Sequence, residues 1–282
     1  MKKIFYEIQG LMWNGANIAP QNVAMLINDT VILESELLTE RYIVPENQSW
    51  HIGLVNGNYA PRDLGQRLAK VTLQFINKQL KKQQILDIEA IQTDLLTHFF
   101  ADFQTNERLA KDHYMSSTAT LISQMADLNS YYIQHIGKHR AYFFNHQVQQ
   151  WQQLTRDHSQ AEDLRDQLKL NERAFMEDAL YRSLVCGESR FIKVELPSPN
   201  GIQPELHAFS TYTGRFNIHD ALLICDSSRC FHFLPHEWQP LNPEISLENW
   251  LREMQEKQHS YNAYNSVDMV LLRLNESTDH GL

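Results

Sequence analysis

Long apolar runs are missing from this chain. No stretch approaches the roughly 20 residues that a membrane-spanning helix needs. The first residues, Met1-Lys2-Lys3-Ile4-Phe5-Tyr6-Glu7, lack the continuous apolar core of a secretion signal. Membrane insertion is therefore not expected. Cysteine is scarce too. Cys186, Cys225 and Cys230 cannot all pair within one chain and form no CxxC, which points to a reducing, cytoplasmic setting. Positive charge is in deficit, with 25 Lys and Arg against 34 Asp and Glu and a formal charge of -9. That balance argues against a nucleic-acid partner or an anionic membrane surface, both of which need clustered cations. Glycine (10) and proline (9) are sparse and scattered among 282 residues, so no linker, low-complexity run or repeat stands out. What remains is a globular balance, 43% hydrophobic and 21% charged, long enough for a substantial core. A single domain over 1–275 with a flexible polar tail at 276–282 is expected.

Periodicity separates strands from helices. Ile4–Ile8, Val23–Ile27, Thr30–Leu33 and Trp50–Val55 are short β-rich runs bounded by turn residues. Pro61 then opens a helix at a position where its missing N–H costs nothing, and Leu64, Leu68, Val71 and Phe75 form its apolar stripe. A second helix follows with Ile88, Ile91, Leu95, Leu96 and Phe99 on one face. From Ser117 the period returns to two: Thr118–Met125, Tyr131–Ile136, Ala141–Phe144 and Gln147–Leu154 read as an antiparallel meander. Short helices are expected at 160–168 and 171–184, then strands at Phe191–Leu196, Leu206–Tyr212 and Ala221–Cys225. A helix at Leu247–Lys257 precedes a last strand, Val267–Leu274. Two sheets with helices outside them suit this order.

Common catalytic signatures are absent: no GxSxG, HExxH, Walker A or GxGxxG occurs. A cysteine phosphatase loop needs five residues between Cys and Arg, whereas Cys225–Arg229 and Cys186–Arg190 each enclose three. The run from Cys230 to Glu237 contains zinc-capable residue types but no common zinc spacing, and reads as a loop. The 13 histidines are dispersed and read as surface or satisfied core residues.

A different set of segments does stand out. They are Met115-Ser116-Ser117-Thr118, Ile136-Gly137-Lys138-His139-Arg140-Ala141-Tyr142, Leu154-Thr155-Arg156-Asp157-His158-Ser159, Tyr181-Arg182-Ser183-Leu184 and Asp268-Met269-Val270-Leu271-Leu272-Arg273-Leu274. In this order they resemble the MGTT, VGDSRAY, LTRDHS, TRAL and TVVVVRL segments of the metal-dependent PPM (PP2C-type) serine/threonine phosphatases. The resemblance runs from about Gly15 to Leu274. It implies an α+β fold, a four-layer αββα sandwich of two antiparallel sheets flanked by helices, with the catalytic centre at one end.

In that family, aspartates hold two Mg or Mn ions that activate a bridging water for attack on phosphorus. Carboxylates are needed there for charge as well as geometry. Aligned on the family's motifs, this chain departs at each metal position. The phosphate-contacting Arg becomes Ile18 and the aspartates become Val23, Asn56, Ser227 and Asn265, while the metal-adjacent Asp of GDSR becomes Lys138. A one-residue slip would let Asp226 serve in place of Ser227, and a shifted alignment would bring Asp29 or Glu34 into play. Valine offers no ligand atom and Lys138 brings a cation to a site built for cations. No catalytic residue and no cofactor are therefore expected.

The resemblance then implies a pseudophosphatase, a regulatory or scaffolding module that binds another protein, such as a phosphoprotein or a signalling or secretion component, in bacterial kinase–phosphatase signalling. The alternative is an active Mn- or Mg-dependent phosphatase whose non-standard site uses Asp226, Asn56 and Asn265. A phosphopeptide binder would rely on Lys138 and Arg140, though Arg140 reads more simply as an ion-pair residue. The Thr155–Ser159 segment reads as a turn in which Asp157 and Ser159 cap a following helix.

Overall fold

A computed structural model of the chain describes residues 3–15, 22–33, 37–58, 62–82, 85–105, 115–125, 129–158, 169, 192–194, 208–225, 234–261 and 266–277. The strands are β1 (Lys3–Trp13), β2 (Val23–Ile27), β3 (Thr30–Ile32), β4 (Leu37–Leu38), β5 (Tyr42–Pro45), β6 (His51–Asn58), β7 (Met115–Gln124), β8 (Ser130–Ile136), β9 (Arg140–Asn145), β10 (Gln150–Gln153), β11 (Ile192–Val194), β12 (Ser210–Arg215), β13 (Ala221–Cys225) and β14 (Val267–Ser277). Three α-helices join them among the described residues: α1 (Arg62–Leu80), α2 (Ile88–Thr105) and α3 (Leu247–Tyr261). The first sheet runs β10-β9-β13-β14-β1-β4, with β5 also on β1. The second runs β12-β8-β7-β6-β2-β3, with β11 on β7.

Each sheet is buried on both faces, which is why its central strands read as near-continuous apolar runs. Tyr6, Ile8, Met25, Ile52, Leu54, Ile122, Ile133, Ile224, Val270 and Leu272 meet between the sheets. The alternate residues of the second sheet, such as Leu26, Val55 and Leu121, pack under Leu68, Leu73 and Ile76 of α1 and Ile91, Leu95 and Phe99 of α2. Those of the first sheet, such as Leu223, Met269 and Leu271, pack under Trp250, Leu251 and Met254 of α3. The result is the expected αββα layering. Each fully buried Leu or Ile contributes about 1.5–3 kcal/mol to it. Asp87 accepts the Ala90 N–H at 3.1 Å to cap α2, and Ser246 accepts the Asn249 N–H at 3.1 Å to cap α3.

α1 can lie close to β6 only because two glycines meet there. A Cβ on Gly57 would fall 2.0 Å from the Gly65 carbonyl oxygen and 2.9 Å from the Ala69 nitrogen.

Several expectations need correction. β4 and β5 were not foreseen, and both add to β1 through tertiary pairing. β10 begins at Gln150 rather than Gln147, because Asn145 Oδ1 accepts the Gln147 and Val148 N–H groups in a turn where Gln149 has a φ of 57°. β12 is displaced to Ser210–Arg215. β14 continues to Ser277, opposite Lys3, so Glu276 and Ser277 are strand rather than tail. Cys225 is disulfide-bonded, so the reading of reduced thiols does not hold there. The helices expected at 160–168 and 171–184 also lie outside the described residues.

Candidate functional site at one end of the sandwich

β8 leaves the second sheet at Ile136 and β9 enters the first at Arg140, so the 137–139 turn joins the two sheets at one end. Strand direction brings the start of β2, the end of β6 and the start of β7 to that end, together with the end of β13 and the start of β14. Register lines up the second sheet's contributions. Val23 lies opposite Asn56, and Asn56 opposite Thr118. Beyond the Ala119–Ile136 pair the same row reaches Gly137. Gly137 has a φ of 111°, and a Cβ there would sit 2.3 Å from the Thr118 Cβ. Only glycine lets this turn lie on the row. Val23 is buried in the core between the sheets, and alternation from Ile52 and Leu54 turns Asn56 to the same side. Lys138 follows directly, partly exposed.

The first sheet adds Met12 and Asp268, opposite each other in the β1–β14 register. Alternation with Val270 and Leu272 turns Asp268 toward the second sheet, and it is 1% exposed. Sequence reasoning did not single out this carboxylate; its signal was the inward phase of the last strand. Ile18, Asp226, Ser227 and Asn265 lie outside the described residues, as does Glu34. Asp29 is excluded from this row by position: it sits in the β2–β3 turn at the opposite end and pairs with Lys81 at 3.1 Å.

Arg140 is engaged within the chain. Its Nε and Nη2 donate to the two carboxylate oxygens of Asp157, both at 2.8 Å, and both residues are buried. Desolvation pulls the guanidinium pKa down, but the Asp157 charge outweighs it and leaves Arg140 above its ordinary value. Asp157 is thus an ion-pair partner; Ser159 and the helix that the two were expected to cap lie outside the described residues. Thr155 Oγ accepts the Ala141 N–H at 2.9 Å, fastening the same segment to β9.

Histidines link this segment to the turn. His135 Nε2 lies 2.9 Å from the Arg156 carbonyl oxygen, which can only accept. On the other side of the ring, Nδ1 is 2.7 Å from Thr120 Oγ, which also donates to the His139 carbonyl at 2.9 Å. With His135 neutral, one hydroxyl proton serves two acceptors; an imidazolium would satisfy all three contacts. One neutral hydrogen bond is worth about 1 kcal/mol, whereas an uncompensated buried charge costs several kcal/mol. Asp157 is already committed to Arg140. Burial therefore decides: desolvation, then the neighbouring His158, His139 and Arg140, hold the His135 pKa well below its ordinary value. His158, with its ring 4.7 Å from that of His135, accepts the Gly137 N–H on Nδ1 at 3.2 Å and faces Ser210 Oγ through Nε2 at 2.8 Å.

The fold family implies paired divalent cations at this end. The described donors do not fit them. The row offers an alkyl group at Val23 and a neutral amide at Asn56, Lys138 brings an ammonium beside it, and among the described residues of these strands Asp268 supplies the carboxylate turned to the interior. Two ions would concentrate four positive charges against that set. Among the described residues no group of three or more His, Cys, Asp or Glu could hold a metal. Of the Cys230–Glu237 run, the described part is a 3-10 turn in which Glu237 accepts the Leu234 N–H at 2.9 Å.

Comparison with known proteins places the architecture. No protein-family profile and no curated protein matches the chain. Solved structures do. A Streptococcus agalactiae serine/threonine phosphatase superposes with a TM-score of 0.66 at 14% identity, covering 95% of this chain and 99% of that one. The Mycobacterium tuberculosis serine/threonine phosphatase PstP/Ppp gives 0.65 at 13%, covering 96% and 99%. PppA, described as a key regulatory component of type VI secretion in Pseudomonas aeruginosa, gives 0.59 at 15%, covering 97% and 100%. The chain has the PPM/PP2C serine/threonine phosphatase fold. At these identities the likeness speaks for the fold, and the activities remain those of the named proteins.

Proposed function

We propose that this chain is a pseudophosphatase, a PP2C-fold protein that binds another protein in bacterial kinase–phosphatase signalling and hydrolyses no phosphate. One observation carries the reading: the register row at the site end runs Val23, Asn56, Thr118 and Gly137, with Lys138 beside it, where metal chemistry needs anions. A phosphoprotein or a secretion component is the partner class that the bacterial neighbours support. No described helix is long and apolar enough to cross a membrane.

One feature favours the second reading, an active enzyme with a non-standard Mn or Mg site. Asp268 is a buried carboxylate turned toward the site from the first sheet, and together with Asn56, Asp226 and Asn265 it would offer a sparse oxygen set. Hydrolysis of a small aryl phosphate by purified protein in millimolar Mn separates the two. The pseudophosphatase reading expects no turnover above blank. Chelator-sensitive turnover, abolished by Asp268→Asn, establishes the alternative instead. Affinity capture from bacterial lysate, with and without prior phosphatase treatment, then asks whether one phosphoprotein is retained in a phosphate-dependent way.

A further inference from the structure

A formal charge of -9 conceals a local reversal of sign on α1. Residues 67–82 include Arg67, Lys70, Lys78, Lys81 and Lys82 and contain no Asp or Glu. All five cations are exposed, as is Gln74 between them. Steps of three, four, four and three residues lead from Arg67 through Lys70, Gln74 and Lys78 to Lys81, which keeps them on one helix face. The other face, with Leu68, Leu73, Ile76 and Leu80, packs on the second sheet. The helix dipole favours cations at the C-terminal end and so accounts for Lys78 and the lysines after it. Arg67 and Lys70 stand in the first half of α1, beyond its reach. Arg67 lies over the Phe99 ring at 4.9 Å, and Lys81 meets the exposed Asp29 at 3.1 Å. Asp63 precedes the stripe, and Glu34 and Glu36 lie outside the described residues. The stripe starts at the site end, two residues after Gly65 meets Gly57 of β6.

We infer that this face of α1 docks an acidic, Asp- and Glu-rich segment of a partner protein. The inference rests on the binding role proposed above and names the surface and the chemistry of the partner. Charge complementarity selects the occupant. Four of the five cations are lysines, and Arg67 and Lys78 are about 17 Å apart along the helix at 1.5 Å per residue. Point charges spread in this way suit carboxylates distributed along a chain. A single phosphoryl group calls instead for converging guanidinium forks. A long polyanion such as nucleic acid would run off the stripe onto a chain whose formal charge is -9. A short acidic segment avoids that repulsion. Toward the site end, Val23 and Asn56 on the row are uncharged and Lys138 beside it is cationic, so the row sets no like charge against the segment. Exposed ion pairs are individually weak and screened by salt, so the face steers and orients its partner, and affinity falls with ionic strength.

The test is fluorescence anisotropy of a fluorescein-labelled decaglutamate peptide titrated with the full chain at neutral pH. Saturable binding is expected at about 50 mM salt, weakened roughly tenfold at about 300 mM. Lys70→Glu with Lys78→Glu should weaken it by about tenfold or more at the lower salt. Arg252→Glu with Lys257→Glu makes the same change in net charge on α3, in the opposite layer, and should weaken it by less than about threefold. Three results would overturn the docking face: no saturable binding at low salt, equal losses in the two double variants, or tighter binding of a ten-nucleotide single strand than of the peptide. The last would assign the face to nucleic acid instead. Should the reversed pair not fold, Lys70→Gln with Lys78→Gln decides, with a loss of about threefold expected and an unchanged affinity counting against the face. Aryl-phosphate turnover reports on the pseudophosphatase reading separately. Peptide binding together with turnover removes that reading and keeps the surface; neither binding nor turnover removes the surface alone.

Discussion

On the outer face of the first sheet, Glu7 and Arg273 face each other across the β1–β14 register at 2.9 Å. Asn275 donates to the same carboxylate at 2.7 Å, and Arg273 also donates to the carbonyls of Asn242 and Ile245. The turn end of the sandwich treats charge differently. Arg140 and Asp157 answer each other there, but the described row, in which the sequence resemblance aligns Val23 and Asn56 with metal positions of the family, carries no anion, and Lys138 stands beside it. The contrast separates two selective demands. Charges that hold strands and segments in place are kept with a counter-charge, because a lone buried ion is costly. Charges needed only to gather cations are dispensable once no cation is used. Under the proposed function, the site end keeps its strand scaffold among the described residues without the anions that paired cations would need.

The sharpest way to break that contrast is to unbalance the retained pair. Asp157→Asn keeps the shape and leaves the Arg140 guanidinium buried without its counter-charge. A loss of about 3–5 kcal/mol is expected in urea unfolding. The double variant Asp157→Asn with Arg140→Met should recover most of it, since removing both charges also removes the desolvation penalty. If Asp157→Asn costs less than 1 kcal/mol, the pair is not what fastens the 154–158 segment.

A second strain test targets the shape of the scaffold. Gly57→Ala places a methyl against the backbone of Gly65, where no flexible side chain can yield. Displacement of α1 from β6 should cost roughly 1–3 kcal/mol or more. The same substitution would be nearly neutral if α1 could slide, and the melting temperature reports which holds.

Most of the architecture was legible in the sequence because burial on both faces writes long apolar strands, and α1 and α2 carry clean stripes. Leu68 and Val71 are buried as their spacing predicts. The misses have physical causes. β4 has two residues and β5 four, so neither carries a period, and both exist through pairing with β1. β12 alternates only between partial and full exposure, so hydrophobicity could not mark its start. The site positions could be named from motif order, but their convergence could not be seen until register put Val23 opposite Asn56. Glu7 and Arg273 are 266 residues apart, beyond any local pattern. His135 and His158 read as dispersed histidines, although the inward phase of Tyr131 and Ile133 also places His135 inside.

Acid acts on the fold as a whole through buried histidines. His135 is fully buried and its folded-state pKa lies well below 6.5, while in the unfolded chain it titrates near that value. Below pH 6.5 the unfolded state therefore binds a proton that the native state refuses. Stability is complete above that pH and falls as the pH drops toward the folded-state pKa. The expected slope is about 1.4 kcal/mol per pH unit from this residue. His51, also lowered by burial, works in the same direction. Replacing His135 with Gln removes the titration, so the urea midpoint between pH 6.5 and 5 should flatten relative to the wild type.

The smallest expected effect is the one that bears most directly on the site. An ion that binds only the native state raises stability by RT ln(1 + [L]/Kd), about 2.7 kcal/mol at a hundredfold excess over Kd. Val23, Asn56 and Lys138 give millimolar Mn or Mg little to bind, so the wild-type melting temperature should move by less than about 1 °C. The triple variant Val23→Asp, Asn56→Asp and Lys138→Asp puts two carboxylates on the register row and one beside it. Without metal, their mutual repulsion should lower the melting temperature; with Mn, several degrees should return. A wild-type shift of that size would mean that Asp268 and its neighbours outside the row already hold a cation. The loss of charge along Val23, Asn56 and Lys138 would then mark a relocated metal site rather than a dismantled one.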